Sequence, residues 1–175
     1  EKEYGVDPLS LAQGGNRSKG EGSGQSGQGL AGDWTAYRAE VITDFLRQLS
    51  SRLNALRPGI VRSAAVKPDY AEAYGTYGQD WPRWIREGLL DLVLPMAYSI
   101  KPDLVFSQIA GACREVGAKH VWAGLRAYDV PVSSILERAA RIAPLAPGGY
   151  CFFSYDGVRD NPLFFERVKK SLFKP

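Results

Sequence analysis

Gln79-Asp80-Trp81-Pro82-Arg83-Trp84 is followed, after a few residues, by Gly88-Leu89-Leu90-Asp91-Leu92-Val93-Leu94-Pro95-Met96-Ala97-Tyr98. A short aromatic helix stops at Gly88, and a hydrophobic strand begins at once and ends in Pro-Met-Ala-Tyr. This is the pattern of a parallel β/α unit with an aromatic residue at the carboxyl end of its strand. Such folds gather their ligand-binding groups at carboxyl ends.

Working outward, the same alternation recurs. Upstream, Trp34, Tyr37, Val41, Phe45, Leu49, Leu53 and Leu56 repeat at helical spacing behind Asp33 as a cap, and Pro58-Gly59 closes that helix. Ile60 to Val66 reads as the first strand, and residues 67–79, rich in Gly and Tyr, as a loop. The aromatic helix and the second strand, Asp91 to Tyr98, come next. Downstream, a helix over Pro102 to Val116 ends at Gly117, and a third strand spans His120 to Ala127. A helix from Pro131 to Ile142 precedes a fourth strand from Gly149 to Tyr155, and a last helix starts at Pro162. Strands alternating with helices predict an α/β fold with a parallel sheet and right-handed crossovers. Four units are half of a TIM-type β/α barrel, which usually needs about 250 residues.

Residues 1–32 are dominated by Gly, Ser and Gln, most densely from Gln13 to Gly29. They offer little apolar surface to offset ordering entropy, which predicts a mobile loop. Residues 33–175 form the folded domain. Asn16-Arg17-Ser18 fits a glycosylation acceptor, a pattern that is common by chance.

At 175 residues, with 45% hydrophobic and 23% charged, the chain can bury one core. The net charge of +3 comes from mixed signs and not from a basic tract, which argues against nucleic acid as a partner. No apolar run approaches the roughly 20 residues of a membrane span. The chain opens on Glu1-Lys2-Glu3, so the lack of a leader leaves the compartment open. Cys113 and Cys151 share no metal spacing and read as separate thiols. A single histidine gives little support to a His-based metal centre or a nucleophile–His pair, so no metal and no organic cofactor are expected.

The period of two divides each strand into faces. Ser63, Ala65 and Lys67 share one; Leu94, Met96 and Tyr98 another; Trp122, Gly124, Arg126 and Tyr128 a third. On the last strand Ser154 and Asp156 oppose Phe153 and Tyr155. Aromatic rings with Lys and Arg at carboxyl ends suit a sugar, whose ring faces stack while its hydroxyls hydrogen-bond. Tyr98, Trp122 and Tyr128 are the candidate stacking walls, Lys67 and Arg126 the donors, and Met96 and Tyr155 further contacts. Trp122 and Met96 are equally suited to fill a barrel's interior layers.

Glycoside hydrolysis usually needs two flanking carboxylates. Asp103 and Asp129 stand beside helix starts and Asp156-Gly157 reads as a turn, so capping and turn roles fit them. Asp69 and Glu72 lie on the long loop over the carboxyl ends, and Asp69 is the candidate acid/base. Asp80 reads as a helix cap. Asp91 and His120, at amino ends of strands, read as structural.

The quoted stretch, together with Trp122-Ala123-Gly124-Leu125-Arg126-Ala127-Tyr128 and Gly149-Tyr150-Cys151-Phe152-Phe153-Ser154-Tyr155, resembles glycosyl-hydrolase-like family 10 from Asp33 onward. Its Met-x-Tyr pair is also similar, over a shorter span, to a strand of chitinase-type enzymes. Tyr4-Gly5-Val6-Asp7-Pro8 resembles the family's loop after its fourth strand. The resemblance implies that this chain supplies strands five to eight of a barrel and that the main carboxylate comes from the absent amino-terminal half. It also implies hydrolysis of a polysaccharide by general acid–base chemistry. Export is common in the family, which makes an extracytoplasmic location an expectation. A different class stays open: a non-catalytic carbohydrate-binding or assembly module that completes its barrel with a partner or a second copy, since open strand edges favour pairing. A flavodoxin-like sheet for a phosphorylated ligand is a third reading, but no Gly-rich phosphate loop follows the first strand.

Overall fold

The computed structural model describes residues 26–172. A long helix, α1 (Ser26–Leu56), leads into β1 (Ser63–Val66), two short helices α2 (Tyr70–Tyr77) and α3 (Trp81–Arg86), and β2 (Leu92–Ala97). Then come α4 (Pro102–Val116), β3 (Trp122–Arg126), α5 (Val132–Ile142), β4 (Gly149–Phe153) and α6 (Pro162–Leu172). The strands form one sheet in the order β1-β2-β3-β4, every pair parallel.

Strand order equal to chain order has no switch point, so the sheet is singly wound and every crossover helix falls on one face. Packing agrees. Val66, Val93, Ala97, Ala123 and Leu125 bury against Trp81, Trp84, Val105, Ile109, Ala139 and Ile142. A smaller cluster joins Ala127 to Ile135, Phe164 and Val168. The opposite face carries Ser63, Ala65, Leu94, Met96, Trp122 and Phe153, all partly or largely exposed. This is a barrel wall with helices outside, and the flavodoxin-like alternative falls away.

Close approach of the strands depends on one glycine. Gly124 pairs with Met96 on one side and Cys151 on the other. A Cβ there would lie 2.6 Å from the Pro95 carbonyl oxygen.

Three details depart from the sequence reading. First, α1 begins at Ser26, so Asp33 lies inside the helix and does not cap it. A helix once nucleated propagates cheaply past a favourable cap position. Second, the segment read as a loop contains α2, an eight-residue helix that starts at Asp69 and closes at Gly78 in the left-handed conformation, φ 65°. It is short and weakly amphipathic, so its caps carry the signal and its periodicity does not. Third, the apolar positions of α1 do not form one buried stripe. Among its described side chains Ala39, Thr43 and Ser50 are the buried ones, whereas Val41, Phe45 and Leu49 are exposed. On the covered side, the Trp84 indole N–H donates to Thr43 Oγ1 at 2.9 Å, and Ser50 Oγ donates to the Leu89 carbonyl at 2.8 Å. The Tyr4-Gly5-Val6-Asp7-Pro8 segment, Asn16-Arg17-Ser18 and most of the expected mobile loop lie outside the described residues.

Candidate functional site

Lys67 follows β1 directly. Its backbone N–H donates to Gln79 Oε1 at 2.9 Å. The ammonium sits 3.5 Å from the Glu72 carboxylate and 4.4 Å from the centre of the Tyr77 ring. Contact with the Tyr77 phenol first, and then the Glu72 charge, raises its pKa. Lys67 is therefore a charged donor and a poor base or nucleophile.

Beside it β2 delivers Met96 and, just past its end, Tyr98. The Tyr98 phenol is pushed up by burial, and next by Cys151 and Tyr128, so it stays protonated and able to donate. Tyr98 stacks on Phe153 from β4, with ring centroids 5.4 Å apart and planes 10° apart. Tyr128 meets Phe153 edge-on at 6.1 Å.

Arg126 closes β3. Its Nε–H donates to the Tyr128 carbonyl at 3.0 Å, and its guanidinium lies 4.4 Å from the Tyr128 ring centre. An ion pair with the largely exposed Asp129 is looser, at 3.7 Å. Behind these groups stands Arg138 from α5, fully buried. It donates to the carbonyls of Ser99, at 3.2 Å, and Arg126, at 3.0 Å, tying together the ends of β2 and β3.

A groove of about 340 Å³ opens at this rim, lined by Lys67, Glu72, Met96, Tyr98, Ser99 and Gln108. One aromatic ring, Tyr98, cationic and neutral donors and one carboxylate face a common space. A pyranose can stack there while its hydroxyls find partners.

The sequence-derived candidates divide accordingly. Lys67, Met96 and Tyr98 line one groove, with Arg126 and Tyr128 joined to it through Phe153. Asp69 caps α2, its carboxylate accepting the Glu72 N–H at 2.8 Å. It lines a neighbouring hollow between α2 and α4 with Tyr70, Gln108 and Arg114. Trp122 is the first residue of β3, at the opposite end of the strand from Arg126. Its indole lies over Gly148 and Gly149, where any Cβ would collide with it or with the Lys119 carbonyl. Tyr155 opens a 3-10 turn beyond β4 and is two-thirds exposed.

The reading of β4 that gave Ser154 and Asp156 a face of their own at the rim needs correction. The strand ends at Phe153, and Gly149, Cys151 and Phe153 share its inner face, while Tyr150 and Phe152 pack on the helix-side core. Phe153 was missed as a site residue because an apolar ring at a strand end looks like core. Its half-exposure and its stack on Tyr98 are tertiary facts.

Asp80 accepts from the Tyr70 hydroxyl at 2.9 Å in place of capping α3 through its side chain. Asp91 accepts the Arg62 N–H at 2.7 Å, and His120 Nδ1 lies 2.8 Å from the Asp91 carbonyl oxygen, both at the amino end of the sheet. Among the described residues, no three His, Cys, Asp or Glu gather closely enough to hold a metal ion, and no helix is long and apolar enough to cross a membrane.

Consecutive parallel strands, helices on one face and polar groups at the carboxyl rim define a protein of the β/α-barrel class. The chain belongs to glycosyl hydrolase-like family 10, whose model matches residues 2–138. No curated protein matches the sequence. Among solved structures, the PgaB (BpsB) glycoside hydrolase domain from Bordetella bronchiseptica is similar at a TM-score of 0.66 and 18% identity, over 83% of this chain. At that identity the likeness speaks to fold. The chain spans 46% of that chain's length.

Proposed function

We propose that this chain forms one half of the glycan-binding active site of a glycoside hydrolase that cleaves a polysaccharide by carboxylate general acid–base chemistry. The observation that carries this reading is the stacked Tyr98–Phe153 pair beside the Lys67–Glu72 pair, on the rim where barrels bind substrate. The rings would hold a sugar face. Lys67, Tyr98 and Arg126 would donate to its hydroxyls.

Of the two loop carboxylates considered for acid/base work, Glu72 lines the groove, whereas Asp69 is engaged as a cap and lines the adjoining hollow. Glu72 is the better participant in this half. Hydrolysis usually needs a second carboxylate across the scissile bond. Among the described residues no other carboxylate lines this groove, and that group would come from outside them, in keeping with a barrel of which this chain is one half.

A second reading, a carbohydrate-binding or assembly module that completes its barrel with a partner, is favoured by one observation. Val41, Phe45 and Leu49 are exposed on α1, and Leu49 lines a hollow with Ser63 and Ala64 of β1, an edge strand of the described sheet.

One experiment separates the two. The purified chain is given a panel of bacterial polysaccharides, and binding and reducing-sugar release are measured together. Binding with release supports the enzyme; binding without release supports the module. Failure to bind any glycan in the panel would overturn both.

A further inference from the structure

On the inner face of the four strands and the residues that end them, the described charged side chains are Lys67 and Arg126, both cations. The nearby carboxylates come from outside the strands: Glu72 is paired with Lys67 at the groove, and Asp129 is largely exposed.

Arg126 is held in a particular way. Its Nε is anchored on the Tyr128 carbonyl and its plane rests on the Tyr128 ring. Its two terminal nitrogens donate no hydrogen bond to any described residue; Nη2 makes only the loose 3.7 Å ion pair with the exposed Asp129, and neither is a buried orphan. A planar fork fixed at its base, whose outer edge meets only the loosely held, exposed Asp129, can grip a carboxylate through two parallel hydrogen bonds once Asp129 swings into solvent.

Arg138 adds to this. It is fully buried, hydrogen-bonds the Arg126 carbonyl, and has no carboxylate within ion-pair distance among the described residues. Its Nε has no partner. Buried charges are ordinarily paired, because an uncompensated one is costly to desolvate. Burial, and next the Arg126 charge, work against its protonated form. An anion seated on Arg126 would offset both charges in a medium that screens poorly.

We propose that the carboxyl rim beside this groove takes a carboxylated sugar, a uronic acid unit of an acidic polysaccharide, with its carboxylate on the outer edge of Arg126 in place of Asp129 and its ring against the stacked Tyr98 and Phe153. The proposal rests on the glycan-binding reading above and adds the class of glycan.

The test compares three probes by calorimetric titration at low salt: a tetrasaccharide alternating uronic acid and amino sugar, the same tetrasaccharide with its carboxyls methyl-esterified, and inorganic sulfate. The acid should bind about tenfold or more tighter than its ester, since charged hydrogen bonds are the strong ones. That advantage should shrink as salt rises. In Arg126→Met, which keeps a stem to pack on Tyr128, acid and ester should bind alike, at the wild-type affinity for the ester. Arg126→Lys, charged but without the fork, should recover only part of the difference. Equal binding of acid and ester to the wild-type chain would overturn the proposal and leave the glycan-binding reading standing. The same holds if Arg126→Met weakens both equally. Sulfate that competes as well as the acid would reduce the site to a general anion site and overturn it too. If neither tetrasaccharide binds while the polysaccharides of the preceding panel do, the uronic acid assignment alone fails.

Discussion

Tyr98 and Phe153 stack at the carboxyl rim with their ring centroids 5.4 Å apart, although they follow or end β2 and β4, strands that do not pair with each other. The strand between them makes this possible. Gly124 of β3 presents no side chain to the inner face, and Arg126, two residues on, folds back over Tyr128. The two rings therefore meet across β3 and make a flat apolar floor with a phenol at one edge.

The stack should be measurable as a coupling. Tyr98→Ala and Phe153→Ala are each expected to weaken binding of a neutral oligosaccharide. A double-mutant cycle on chemical unfolding should return an interaction of roughly 0.5–1.5 kcal/mol between the rings. Additive effects, within a few tenths of a kcal/mol, would mean that the rings neither support each other nor form a shared floor.

The two loop carboxylates should separate by what they affect. Asp69→Ala removes the side-chain cap of α2 and is expected to cost about 0.5–2 kcal/mol of stability. It should leave oligosaccharide affinity within experimental error. Glu72→Gln keeps the backbone N–H that Asp69 accepts, so stability should hold, while binding or turnover at the Lys67 groove should fall. Denaturant melts alongside titrations check both. The reverse pattern would return the active role to Asp69.

Much of this architecture was legible in the residues. Gly88, Gly117 and the prolines at 102 and 131 bracket helices, and the apolar runs ending in Met96-Ala97-Tyr98 and Arg126-Ala127-Tyr128 mark strands whose last residues reach the rim. Consecutive βα units then favour one strand order. The rest depended on information that no local pattern holds. Trp122 and Arg126 share a strand face, but parity does not say which end of the strand a ligand meets; direction does, and it leaves Trp122 at the wrong end. Phe153 is an ordinary core residue by type, and only the missing cover on the inner face makes it a surface. Arg138 sits in a helical repeat where a charged residue normally marks the solvent side, and its burial follows from two carbonyls that only the folded sheet assembles.

Acid should loosen α1 from α3. Glu40 and Glu87 bridge the two helices through Arg47 and Arg83. Hydrogen bonding from Arg83 is the main cause that holds both carboxyls below the usual value of 4.5. A carboxylate whose pKa is lower folded than unfolded adds stability that is fully present above the unfolded value. It is lost as pH falls through the folded one. The melting temperature should therefore be flat above about pH 5 and decline below about 4.5, the decline continuing into stronger acid. Arg83→Met should flatten part of that decline. All these carboxylates are solvent-accessible, so salt should mimic part of the mutation. A melting curve in Arg83→Met with an unchanged acid limb would assign the decline to other groups.

The glycine in the middle of β3 has no room for a side chain. A methyl at Gly124 would meet the Pro95 carbonyl oxygen at 2.6 Å and Met96 Cα at 3.4 Å, both backbone atoms held by the β2–β3 pairing. They can yield only by parting the strands. Gly124→Ala is thus expected to destabilise by about 1–3 kcal/mol, a fall in melting temperature of several degrees for a chain of this size. It should also disturb Tyr98 and Arg126, which leave the same pair of strands two residues on. Gly111→Ala, on α4, is the matched control. Its nearest atom would be Arg114 Nη2 at 3.8 Å, in open surroundings, so the same methyl should stabilise by up to about 1 kcal/mol through helix propensity. Thermal unfolding of the two variants side by side distinguishes a steric demand at the strand pair from a general intolerance of alanine. If both variants melt alike, the close approach of β2 and β3 at Pro95 is not what requires glycine there.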